Sequence, residues 1–113
     1  MEHLEVWVPG LPEAPLDAAR EFHERTVADV RKAFERYASV TIVFPLADHT
    51  HRAWRLAAVR ELAREGAPVR VNAIAGDDEN DRDAIEGVLD FLRGTPGMTG
   101  QLLVADGKSG RTR

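Results

Sequence analysis

Cysteine is missing from all 113 residues, which rules out a disulfide scaffold and the thiolate-rich zinc sites. Positive charge is also short: fifteen Lys and Arg stand against nineteen Asp and Glu, a net charge of -4, so there is no basic footprint for nucleic acid. No apolar run approaches the ~20 residues that a bilayer requires. Met1-Glu2-His3 opens without the basic and then apolar stretch of a signal peptide. These absences predict a soluble, cytoplasmic protein, and charge alone favours no class of partner. At roughly 100–150 residues per domain the length also excludes a second globular unit, and one domain of this size buries about two-thirds of its unfolded surface.

The residues present alternate between two periods. Residues 4–8 alternate, carry β-branched and aromatic side chains and run into Pro9-Gly10, which predicts a strand and a turn. Over 16–38, Ala19, Phe22, Val27, Val30, Phe34 and Tyr37 recur at steps of three to five residues, close enough to the helical period to predict one long amphipathic helix. Residues 39–44 are a nearly continuous β-branched run closed by Pro45, as in a parallel strand covered on both faces. A second helix is predicted over 51–65 from Trp54, Ala58 and Leu62, with Gly66 as its stop. Residues 69–75 read as a third strand. The acidic stretch 77–83 opens a helix carrying Ala84, Ile85, Val88, Leu89 and Leu92, and residues 101–105 read as a final strand.

Three consecutive strand-helix-strand units predict an α/β fold: a four-stranded parallel, Rossmann-like sheet, β-α-β-α-β-α-β, flanked by helices and joined by right-handed connections. The expected boundaries are one domain over 1–107 and a flexible basic tail over 108–113.

Three segments then resemble a known family. Arg70-Val71-Asn72-Ala73-Ile74-Ala75, the stretch Ala84-Ile85-Glu86-Gly87-Val88-Leu89-Asp90-Phe91-Leu92, and Met98-Thr99-Gly100-Gln101-Leu102-Leu103-Val104-Ala105-Asp106-Gly107 resemble the C-terminal part of the short-chain dehydrogenase/reductase family. Residues 57–66 look like the helix before that strand. The likeness is specific over 57–107 and a matter of element order over 4–56, so the whole chain looks like the second half of the doubly wound fold.

The family's chemistry rests on parts that differ here. Its dinucleotide lies on a glycine-rich turn between a strand and a helix, whereas Gly94, Gly97 and Gly100 follow a helix and precede a strand, the context of a closing loop. Its catalytic serine follows the fifth strand, and its Tyr-x-x-x-Lys pair opens the next helix. Alignment on Leu-Ala-x-Glu puts Asp48 near the tyrosine and Arg52 near the lysine, and neither can replace a phenol or a titratable ammonium. The only tyrosine, Tyr37, lacks a lysine four residues on. The resemblance therefore implies no catalytic residues and no cofactor of the chain's own, NAD or NADP arriving only with a partner subunit.

Two other clusters invite chemistry. His49 and His51, with Asp48 beside them, stand at a strand exit, where open α/β sheets hold ligands; they can be read as a metal or acid/base set or as solvent-exposed loop residues. His3 and His23 have no partner pattern and are expected at the surface. The alternating carboxylates of 77–83 have Arg82 where a calcium loop needs glycine, so they are expected to serve a helix start.

The helices over 16–38 and 51–65 correspond to those that pack against a second subunit in the resembled family. Phe22, Val30, Phe34, Tyr37, Trp54, Ala58 and Leu62 are accordingly expected at a partner interface. The strand at 4–8 is expected to leave an open edge, with Glu5 its only gatekeeper. The leading expectation is a catalytically incompetent subunit that assembles with itself or with a full-length reductase and stabilises or regulates it. The alternative is a small-ligand binder, or an enzyme of altered chemistry, using the strand-exit loops around Asp48, His49, His51 and Arg52.

Overall fold

The computed structural model describes residues 2–77 and 80–105. Its strands are β1 (Glu2–Trp7), β2 (Tyr37–Phe44), β3 (Arg70–Ala75) and β4 (Leu102–Val104); its helices are α1 (Pro15–Ala33), α2 (Arg52–Gly66) and α3 (Arg82–Arg93). The strands form one all-parallel sheet in the order β1-β2-β3-β4, with Leu4 opposite Val40, Ile42 opposite Ala73 and Ile74 opposite Leu103. The α/β, Rossmann-like architecture expected from the alternating periods is the one observed.

Strand alternation separates two faces. Val8, Val40, Ile42, Phe44, Val71, Ala73 and Ala75 join one core with Phe22, Val27 and Val30 of α1 and Ala58, Val59 and Leu62 of α2. Val43 and Ile74 point the other way and form a second core with Ile85, Leu89 and Leu92 of α3, closed by Trp7 and Leu103. Each strand advances one place in the same direction, so the hand of each crossover depends on which face its helix covers. Because α1 and α2 share a face and α3 covers the opposite one, the third connection has the opposite hand to the first two. The expectation of uniformly right-handed connections is thus corrected. The physical reason is occupancy: over β2 and β3 the first face is filled by α1 and α2, and the apolar patch left for α3 is Trp7, Val43 and Ile74.

Two helix ends also differ from the sequence reading. Helix α1 stops at Ala33, and Tyr37 is the first residue of β2 rather than part of the helix. Apolar residues at 34 and 37 keep the helical spacing although the chain has already turned, and no glycine marks the stop. Gly66 is the last residue of α2, not a residue beyond it. Its role is steric: a Cβ there would lie 2.5 Å from ring carbons of Phe34.

The loop before β4 is held by Asn72. Its Nδ2 donates to the Met98 carbonyl at 3.0 Å, and its Oδ1 accepts from the Gln101 amide at 3.1 Å. Gly100, at φ 74°, makes the turn that a side chain would strain. The Gly94, Gly97 and Gly100 series thus belongs to a closing loop, as expected. The carboxylates of Asp78 and Glu79 and the tail over 108–113 lie outside the described residues. Asp81 stands before α3, and its Oδ2 accepts from the Asp77 amide at 3.0 Å.

Candidate functional site

In a parallel sheet the strand C-termini gather the loops that can hold a ligand. Two clefts open there on the α1/α2 side. One, of about 300 Å³, lies between the β1–α1 loop (Leu11, Pro12, Glu13) and the β2–α2 loop (Pro45, Leu46, Ala47). The other, of about 150 Å³, lies between the β2–α2 loop and Ala75, Leu102 and Val104. Ala47, Asp48, His51 and Arg55 line both.

Asp48 caps the 3-10 turn His49–His51: one carboxylate oxygen accepts from the Thr50 amide at 2.9 Å and from the Thr50 hydroxyl. Those bonds hold the Asp48 carboxyl below its usual range. His49 and Arg52 are exposed. His51 is not the exposed loop histidine expected; it is buried. Its Nε2 lies 2.9 Å from the Glu13 carbonyl, and its Nδ1 accepts from the Trp54 indole N–H at 3.0 Å. Both ring nitrogens are thus engaged in tying α2 to the β1–α1 loop. Among the described residues no three His, Cys, Asp or Glu side chains come together as a metal site.

Sequence reasoning missed Arg55. It sits on the inward face of α2, 4% exposed, with its guanidinium 4.5 Å from the Phe44 ring centroid and 5.7 Å from that of Trp54. Nη1 donates to the Pro45 carbonyl at 2.8 Å, and Nε is sealed without a partner. Burial pulls its pKa down. A signal existed: positions 51, 55, 58 and 62 share one helical face, and a cation stands among apolar neighbours at 55.

The residues expected at a partner face divide. Phe22, Val30, Ala58 and Leu62 are buried within the chain's own core. Phe22 meets Phe44 at 5.2 Å and Trp54 at 5.5 Å between ring centroids, so it fastens α1 to the sheet and is closed to a second chain. Phe34, Tyr37 and Trp54 are half-buried. Trp54 lines a groove of about 290 Å³ between α1 and α2, with Val27, Ala57, Ala58 and Leu62, spanned by the Arg31–Glu65 ion pair at 2.7 Å.

His23 is exposed, as expected. His3 is instead half-buried, its Nδ1 2.6 Å from the Ser39 hydroxyl and its Nε2 buried without a partner. It lies on the α3 face, where the sheet covers it.

The turn from β1 into α1 carries Pro9, Pro12 and Pro15, which have no backbone N–H to offer a pyrophosphate, and Glu13 and Asp17 bring negative charge to the same end. Tyr37, at the start of β2, is at the opposite end of that strand from the clefts.

No curated protein and no solved structure matches the chain. A family model described as "Short chain dehydrogenase-like protein" matches residues 6–105, which runs from β1 through the end of β4. With nearly the whole chain covered and the parallel α/β sheet in place, the chain belongs to the SDR-like, short chain dehydrogenase-like family.

Proposed function

We propose that this chain is a non-redox subunit of the short chain dehydrogenase-like family, assembling with itself or with a full-length reductase that it stabilises or regulates. The observation that carries this reading is the outer edge of β1. Val8 donates to the Val43 carbonyl, so Leu4 and Val6 also direct their backbone groups to β2. His3, Glu5 and Trp7 turn theirs outward, where no further strand pairs with them among the described residues. Six residues without proline form a long, pairable edge. The Glu5 carboxylate, the one candidate guard, is held on the α3 face by Arg93 at 2.9 Å and the Trp7 indole at 3.2 Å. The α1/α2 groove offers a second apolar contact. Redox chemistry is assigned to the partner, which would bring the dinucleotide.

The reading is tested by the native mass of the isolated chain and by what co-purifies with it. A complex is expected; a lone monomer with no co-purifying reductase would remove the proposal. A second reading, a small-ligand binder at the strand exits, is favoured by the clefts that Asp48, His51 and Arg55 share.

A further inference from the structure

We infer that the strand-exit cleft beside Arg55 binds a small organic monocarboxylate, with the Arg55 guanidinium as its anchor. This deepens the ligand-binding reading and rests on it.

A buried guanidinium is costly unless its charge is answered, and it cannot shed its proton as a lysine can. Among the described residues no carboxylate lies within ion-pair distance of Arg55, and one backbone carbonyl and two aromatic faces answer its charge there. Of its nitrogens, Nη1 is used by Pro45 and Nε is sealed. Among the described residues Nη2 has no hydrogen-bond partner and is not one of the sealed atoms, so with Arg55 lining the cleft it is the donor left for a ligand there. A carboxylate there would receive a charge-assisted hydrogen bond in a partly dry setting.

The walls narrow the class of ligand. Leu11, Pro12, Pro45 and Leu46 are apolar and suit a hydrocarbon body. Asp48 and Glu13 line the same cleft, and their carboxylates disfavour a dianion. Arg52, which lines the smaller cleft, is exposed and solvated. About 300 Å³ admits a short aliphatic or single-ring acid, and a dinucleotide far exceeds it.

The test titrates the full chain with benzoate, butyrate, benzamide and inorganic phosphate at matched ionic strength, following Tm and a direct binding measurement by calorimetry. Benzoate and butyrate should raise Tm saturably, with phosphate and benzamide inert. Arg55→Met should leave the fold intact and weaken benzoate binding about tenfold or more, the equivalent of one charge-assisted hydrogen bond. Arg55→Lys, which keeps the charge, guards against misfolding of the first variant and should retain part of the response. A wild-type chain indifferent to both acids, or an Arg55→Met chain that responds undiminished, overturns the inference. Benzamide binding as well as benzoate also overturns it, while leaving a ligand-binding cleft standing; phosphate binding equally well overturns the restriction to monoanions.

Discussion

The two faces of the sheet are built on different principles. Under α1 and α2 the inward residues of β1, β2 and β3 are all apolar, from Leu4 and Val40 to Phe44 and Ala75. Under α3 only the C-terminal ends, Trp7, Val43 and Ile74, are apolar; toward the strand starts the same face carries His3, Ser39, Thr41, Arg70 and Asn72. Helices of 19 and 15 residues cover the first face, and one of 12 residues covers the second. The first face supplies cohesion. The second uses its burial for directional bonds that fix ends and loops: Asn72 holds residues 98–101, and Arg70 donates to the carbonyls of Leu92 in the last turn of α3 and Thr95 just past it.

If that contrast is right, Phe22→Ala should be the most damaging single change, about 3–5 kcal/mol by denaturant unfolding, because it empties the aromatic contact that holds α1 and α2 together. Gly66→Ala should cost about 1–3 kcal/mol, since a Cβ would strike the Phe34 ring unless that ring swings out. The opposite sign is expected on the α3 face. The Thr41 hydroxyl is fully buried without a partner, so Thr41→Val should be neutral or stabilise by about 1 kcal/mol. A Thr41→Val chain destabilised as much as a core truncation would show that the polar face is cohesive after all.

The smallest expected effect is one of pH. Burial first and the Arg93 charge second hold His3 below the usual histidine value of 6.5, so the folded chain resists protonating it. The unfolded chain takes up that proton first. The stability His3 contributes is therefore intact above about 6.5 and declines as pH falls from there through its lowered value. Unfolding titrations across that interval should show the decline, and His3→Gln should flatten it.

The elements of the first face were legible in the sequence because their signal is a period, but the period does not say what covers it: Phe22, Val30, Ala58 and Leu62 were expected at a partner interface and are buried in the chain's own core. Phe22, Val27 and Val30 on α1, and Ala58 and Leu62 on α2, recur at helical spacing, while Val40, Ile42 and Phe44 alternate on β2. The end of α1 was not, because Phe34 and Tyr37 preserve the period past the turn. The change of hand at the third crossover was hidden for a different reason: local pattern says that a face is apolar, not which side of a sheet remains free for it. The site was half legible. The strand-exit location follows from a parallel sheet, and Asp48 lies there as expected. The burial of His51 depends on Glu13 and Trp54, long-range and cross-loop partners that no short spacing encodes. Arg55 was masked by the habit of treating arginines as surface charge.

Whether the open edge of β1 recruits a second chain is read by sedimentation equilibrium of the purified protein over a range of concentrations, with Glu5→Pro as the comparison. Proline at position 5 removes an outward N–H and leaves the bonds of Leu4 and Val6 to β2 in place. The expected result is a mass above the 12.5 kDa of one chain, or a stable complex with a co-purified reductase, reverting to 12.5 kDa in the variant. A single 12.5 kDa species at every concentration, alone and identical in both proteins, would contradict it.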